Sequence, residues 1–321
     1  MRIFAGIDIG GTTMNIGLVS EDGQVLDETV VPTCPEKGPE DALNRIAESL
    51  KQMLAAYRKK DCRGIGIGIP GLIDTDKGCI LEASNLPGWE SFSIIGHLSA
   101  KMNMPVFIEN DANLAALGEY WLGAGHGADN LFMVTLGSGI GGAILAGGKI
   151  LKMHPSAGEF GHMIIERSGA TCTCGRRGCL ETYISKHGFE RMFREKQSGY
   201  PMSSVKPAEN EPVSPQLLAE HASHGDILAN LIFLEAGEAL GIAISNVINL
   251  TGVTCILVGG GIANAWDLLQ EPVMRSVERN VFKSILSGVS VCKAALGEKA
   301  GFMGAARLAV DSVSKHTREV L

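Results

Sequence analysis

The sequence has no Gly-x-x-x-x-Gly-Lys-Ser/Thr loop, so the P-loop way of gripping a polyphosphate is excluded. It has no surplus of positive charge either. Its 28 Lys and Arg stand against 35 Asp and Glu, a formal net charge of −7, and no nucleic-acid footprint is expected. Apolar runs free of breakers are missing too. Residues 130–148 carry six glycines and read as two strands around a Gly turn. Residues 239–266 hold Ser245, Asn246, Asn249 and Thr251 at their middle and read as a buried helix followed by a buried strand, so no membrane partner is expected. Met1-Arg2-Ile3-Phe4 leads straight into a strand pattern, which argues against a signal peptide or a leading helical module. The eight cysteines do not form a secreted framework. Five sit singly in apolar runs, the pattern of a reduced, cytoplasmic protein.

What is present is enough chain for two domains, 321 residues with 45% hydrophobic content, and an excess of glycine, 41 residues, gathered at strand ends. Residues 3–26 read as strand, Gly10-Gly11 tip, strand, and a turn at Glu21-Asp22-Gly23; residues 131–151 repeat that plan around Gly137 to Gly142. Between them the pattern predicts a helix over 40–59, a strand over 63–69, a polar hairpin at 74–78, a helix over 94–101, a strand over 105–109, and a helix from Ala112 to Trp121 ended by Gly123 and Gly125 as a hinge. Four prolines between 198 and 215 suggest a mobile surface excursion. Helices over 215–223 and 227–250, a strand over 255–258, and a helix over 301–314 follow. Alternating strands and helices mean an α/β class with mixed sheets. The boundaries expected are a small N-terminal lobe of 1–118, joined by the C-terminal helix 301–321, and a larger lobe of 119–300.

The sharpest motif is Gly158-Glu159-Phe160-Gly161-His162 followed by Cys172-Thr173-Cys174-Gly175-Arg176-Arg177-Gly178-Cys179-Leu180-Glu181. One imidazole (His162) and three thiols (Cys172, Cys174, Cys179) are the ligand set of a closed, structural, tetrahedral Zn²⁺ site, and the clamped loop over 158–181 would hold the carboxylates of Glu159 and Glu181 nearby. The bland alternatives are unrelated reduced thiols beside a solvated His, or a disulfide between two of them. Two Gly-x-Gly-x-x-Gly matches, at Gly66/Gly68/Gly71 and Gly137/Gly139/Gly142, fail the dinucleotide context because neither opens directly into a helix. The tips Asp8-Ile9-Gly10-Gly11-Thr12-Thr13 and Thr135-Leu136-Gly137-Ser138-Gly139 suit a polyphosphate better. Glycines bare the backbone N–H groups there, hydroxyls add donors, and Asp8 is placed to hold Mg²⁺ through water. Each tip also reads as a plain tight hairpin.

Together with Pro70-Gly71, Asn85-Leu86-Pro87-Gly88-Trp89, Glu109-Asn110-Asp111-Ala112-Asn113 and Gly259-Gly260-Gly261, these motifs resemble bacterial sugar kinases of the ROK family, its glucokinases above all. The resemblance implies a two-lobed actin-like (ribonuclease H-like) ATPase fold. ATP and Mg²⁺ would lie across a cleft from a hexose that is phosphorylated at its 6-hydroxyl. It implies Asp111 as base, with Gly71, Asn85, Asn110, Glu159, His162 and Glu181 on the sugar, and Gly259, Gly260 and Gly261 over the adenosine. A homodimer or homotetramer is the family habit. Asn110 is expected to offer its amide to sugar hydroxyls, while a plain N-cap role competes for Asp111 and a turn role for Asn85 and Gly71. The chain departs from the family at Thr13, where Lys commonly follows Gly-Gly-Thr, and so lacks one cation near the phosphates. Glucose is the favoured sugar. Mannose, fructose, allose or an N-acetylhexosamine remain open, as do a sugar-responsive regulator and a catalytically idle sugar-binding protein.

Overall fold

Strand β1 (Ile3–Ile9) is apolar on both faces because it lies at the centre of a five-stranded sheet with a helical layer on either side. The computed structural model describes residues 1–57, 62–83, 85–152, 158–207 and 211–319. They divide into two units, one made of 1–129, 143–157 and 295–321, the other of 130–142 and 158–294.

In the first unit β2 (Thr13–Ser20) and β3 (Val25–Pro32) continue from β1 as antiparallel neighbours. Then come α1 (Gly38–Leu54), β4 (Cys62–Ile69), the hairpin β5 (Leu72–Asp74) and β6 (Cys79–Glu82), α2 (Ile94–Met102), β7 (Val106–Asn110) and α3 (Asp111–Leu122). The sheet order is β3-β2-β1-β4-β7, with β4 and β7 parallel to β1. β3 went unread in the sequence because its burial alternates weakly along an outer strand.

The second sheet starts with β8 (Asn130–Leu136) and β9 (Ile140–Ala146), with β10 (Lys149–Ile150) after the Gly147-Gly148 turn; β8 and the start of β9 belong to the second unit, the rest of β9 and β10 to the first. The chain continues through α4 (Glu181–Ile184), α5 (Lys186–Lys196), α6 (Pro215–Ser223), α7 (Ile227–Thr251), β11 (Cys255–Gly259), α8 (Trp266–Asn280), α9 (Lys283–Leu286) and β12 (Ser290–Lys293). The sheet order is β10-β9-β8-β11-β12. α7 is the one helix among the described residues long and apolar enough to cross a membrane by length and composition, and it is largely buried inside the protein, packed on α8. Pro272 sits within α8, its ring against Gly237 of α7, where a Cβ would come within 2.6 Å.

The proline-rich excursion is anchored at its start. Asp226, the N-cap of α7, accepts from Ala229 N–H at 2.9 Å, from Ser204 N–H at 2.6 Å and from the hydroxyls of Ser203 and Ser204, while Val205 and Val213 are buried. Burial raises the Asp226 pKa, but these hydrogen bonds outweigh it and bring the carboxyl down to about 2.

The chain returns to the first unit as α10 (Ala300–Glu319), which lies on one face of the first sheet. β4 alternates Gly64, Gly66 and Gly68 with Ile65, Ile67 and Ile69; the isoleucines enter the core with α1 and α2, and the glycines face the other way. A Cβ on Gly66 would stand 1.8 Å from Ala305 O, and one on Gly6 would stand 1.9 Å from Phe302 O. α3 meets α10 as closely, a Gly304 Cβ falling 1.7 Å from Leu114 O. The Gly-x-Gly spacing that imitates a dinucleotide fingerprint is therefore a floor for α10. Gly66→Ala is expected to lower stability by about 2 kcal/mol or more through overpacking against backbone, read as a fall in melting temperature with native circular dichroism below the transition.

Candidate active site

In the first unit α3 begins where β7 ends, and its N-cap is Asn110, whose Oδ1 accepts from Ala112 N–H at 3.0 Å and Asn113 N–H at 3.2 Å. The cap role weighed for Asp111 thus falls to its neighbour, and Asp111 occupies the first helical position, where the macrodipole favours an ionised carboxylate. The amide of Asn110 is less free than its sequence suggests. Its Oδ1 is used in capping, and its Nδ2 donates to Gly71 O at 3.2 Å.

Glu109 supports this turn from beneath. Buried, it accepts from Asn110 N–H at 3.0 Å and Asn113 Nδ2 at 3.1 Å, and Lys152 Nζ lies 2.6 Å from its other oxygen. Gly71, at φ 94°, is required by close approach as well as by conformation, since a Cβ would sit 2.2 Å from Glu82 O. Glu119, fully buried on α3, receives the N–H groups of Ala124, Ala295 and Leu296 at 2.8, 3.0 and 2.6 Å and so fixes the approach to α10.

Asp8, next to last in β1, pairs with Gly68, where a Cβ would meet Asp8 Oδ1 at 3.4 Å and the Asp111 Cα at 3.6 Å. The start of α10 crowds it from the other side, with a Gly301 Cβ position 2.3 Å from Asp8 Oδ2. Burial first, and the charge of Asp111 second, push the Asp8 carboxyl up to about 7. The tip beyond it is closed by Gly10 N–H on Thr13 O at 2.8 Å and exposes Thr12 and Thr13; Asn85 packs against Gly11. Asp8, Gly11, Asn85, Gly71, Asn110 and Asp111 therefore form one connected set. It is fit to hold a cation, orient hydroxyls and accept a proton.

In the second unit the tip of β8 and β9 closes by Gly137 N–H on Gly139 O at 3.0 Å, with Ser138 and Gly139 exposed. Thr135 pairs in register with Gly259, and Gly260, at φ 86°, lies so close to Leu136 that a Cβ would be 2.4 Å from its carbonyl oxygen. Gly261 is open and starts a short 3-10 turn before α8.

The sulfur and imidazole ligands converge. One donor atom from each of His162, Cys172, Cys174 and Cys179 lies within 4.8 Å of all the others. Cys174 Sγ to Cys179 Sγ and Cys172 Sγ to His162 Nδ1 are both 3.7 Å, near the edge of about 3.8 Å that a tetrahedron with ~2.3 Å metal–sulfur bonds requires. Nδ1 thus faces the cluster and Nε2 is turned away. The Arg176 guanidinium holds the Cys174 thiol down to about 6, while burial pushes Cys179 up to about 12.

Behind the ligands the loop packs on β9: a Cβ on Gly161 would fall 2.6 Å from Ile140 O, and Glu181 Oε2 accepts from Ile140 N–H at 3.1 Å. Glu181 is thus tied to the second tip. Glu159 is exposed at the entry to the 3-10 turn Phe160–His162.

A family model described as ROK family matches residues 4–312. The chain belongs to the ROK family. Relatives include a glucokinase from Halalkalibacterium halodurans, 36% identical over 94% of this chain and 93% of that one, and a glucokinase from Thermotoga maritima, 36% identical over 94% and 96%. Among solved structures, a ROK family glucokinase from Streptomyces griseus in complex with glucose and AMPPNP superposes with a TM-score of 0.79, at 30% identity, covering 95% of this chain and 98% of that one. The mixed sheets flanked by helices seen in this ROK protein are those of sugar kinases with the actin-like ATPase fold.

Glu119 went unread in the sequence of this ROK protein, and Glu109 was named only as part of a motif, because their partners include Ala295, Leu296 and Lys152, far along the chain.

Proposed function

We infer that this protein is a hexose kinase that transfers the γ-phosphoryl group of ATP to the 6-hydroxyl of glucose. The glucokinase relatives support the substrate, and the observation that carries the chemistry is the placement of Asp111 on the first turn of α3 with Asp8 beside it.

In this reading the sugar's 6-oxygen attacks the γ-phosphorus as the bond to the β–γ bridging oxygen breaks, and Asp111 takes the hydroxyl proton late while ADP departs. Asp8 would hold Mg²⁺, which would offset the charge of the phosphates. Gly10, Gly11, Thr12 and Thr13 on one tip, and Thr135, Gly137, Ser138 and Gly139 on the other, cradle the phosphates; Gly259, Gly260 and Gly261 cover the adenosine. Gly71, Asn85, Asn110, Glu159, His162 and Glu181 bind the sugar, each vicinal hydroxyl pair being met by a donor and an acceptor. The protein acts in the cytoplasm as a homodimer or homotetramer. A coupled ADP-release assay over a hexose panel tests the assignment: glucose is expected to give the highest kcat/KM, and no sugar-dependent turnover with MgATP rejects it.

The four-ligand cluster holds Zn²⁺, which staples the loop that carries Glu159 and Glu181. The donor set, its distances and its packing on β9 fit that role. About one zinc per chain is expected by elemental analysis. Because Cys179 sits near 12, reloading metal-stripped protein at pH 7 is expected to release protons, which an indicator dye in weak buffer detects. Cys172→Ser is expected to lower both zinc content and melting temperature.

A further inference from the structure

We propose that Thr33 is a positioning residue for the nucleotide: it locks the Gly10–Gly11 peptide so that the Gly11 N–H stays turned toward the phosphates. The proposal rests on the reading of the first tip as a phosphate cradle and adds the device that keeps it in that state.

Two adjacent glycines make the peptide between them easy to rotate, because neither residue carries a Cβ to restrict it. A flipped peptide would offer a carbonyl oxygen where a donor is needed, repelling an anion instead of binding it. In a trans peptide the C=O of one residue and the N–H of the next point in opposite directions. Thr33, fully buried just past the end of β3, donates its hydroxyl to Gly10 O at 2.6 Å. Holding that oxygen toward Thr33 aims the Gly11 N–H the other way. A second bond, Thr33 N–H on Thr12 O at 2.8 Å, grips the far side of the same tip.

Thr33 is itself held from behind. Arg45 on α1 donates Nη2 to Thr33 O at 2.7 Å and Nη1 to Pro32 O, and Asp41 keeps the guanidinium in place, with Arg45 Nε on its Oδ2 at 2.9 Å. Thr12 and Thr13 give the tip hydroxyls and no cation, so it relies the more on correctly aimed backbone N–H groups.

The test compares Thr33→Val, which keeps shape and loses the donor, with Thr33→Ser, which keeps the donor. Thr33→Val is expected to raise the KM for MgATP about tenfold, with the glucose KM within about twofold and a smaller effect on kcat; Thr33→Ser is expected to restore most of the ATP affinity. Arg45→Gln, which loosens Thr33 without touching the tip, is expected to raise the ATP KM about threefold in the same selective way, and covers the case in which Thr33→Val does not fold. An unchanged ATP KM in both Thr33→Val and Arg45→Gln, or equal losses toward ATP and glucose, overturns the proposal. Absence of turnover in the unaltered protein overturns instead the kinase reading on which it stands.

Discussion

Asp111→Asn is expected to lower kcat for glucose phosphorylation by about 10³-fold or more while the dissociation constant for glucose changes by less than about threefold. The substitution is close to isosteric. Ala112 N–H bonds Asp111 Oδ1 at 2.8 Å, and an Asn oxygen can accept the same bond, so α3 keeps its first turn and Asn110 its cap. What is lost is the charge that takes the proton in the proposed reaction. The two quantities separate cleanly when turnover is measured by coupled assay and glucose binding by calorimetry without nucleotide. A kcat within tenfold of the unaltered enzyme would remove Asp111 from the chemistry.

Asp8→Asn is expected to cost activity and gain stability. The carboxyl titrates near 7 in the folded protein against an ordinary 3.8, because burial and the neighbouring Asp111 both penalise its charge. A raised carboxyl favours the protonated native state. Its contribution is complete below about pH 4, is lost as the pH climbs toward 7, and above that the ligand-free protein bears a buried charge opposed by a second one. The shift bounds the effect at about 4 kcal/mol, reduced by the cost of burying an amide in its place. Asp8→Asn should therefore melt higher than the unaltered protein at pH 8, with the difference vanishing near pH 4, while MgATP-dependent turnover falls by at least about 10²-fold. Equal melting temperatures at both pH values would show that Asp8 does not titrate as described. The same carboxyl should place a limb near pH 7 on the acid side of the kcat/KM profile, since cation binding needs it ionised.

Much of this site was legible along the chain, and the legible parts share a property. The candidate metal ligands announce themselves by spacing, Cys172, Cys174 and Cys179 lying within one short loop. The two glycine tips are visible because each is a local hairpin, and α3 because its Ala- and Leu-rich run is closed by Gly123, although its cap is Asn110 and not Asp111. The Gly-x-Gly run of β4 was rightly refused a dinucleotide, but its own meaning, the backbone of α10 lying on that face of the sheet, leaves no local sign. Asn110 was credited with a free amide, of which the fold takes the oxygen for its own helix and one N–H for Gly71.

The amino-acid sequence by itself determined the ligand chemistry, the hairpin tips and the carboxylates, because caps, turns and chelating loops are built from neighbours a few residues apart. Only the tertiary structure decided how those groups are held. Thr33 meets Gly10 from 23 residues away, Lys152 pairs with Glu109 across strands and a helix, and Glu119 binds backbone 176 and 177 residues further on. Such contacts obey no local period: a buried carboxylate or hydroxyl takes whichever backbone groups the packed elements bring within about 3 Å of it.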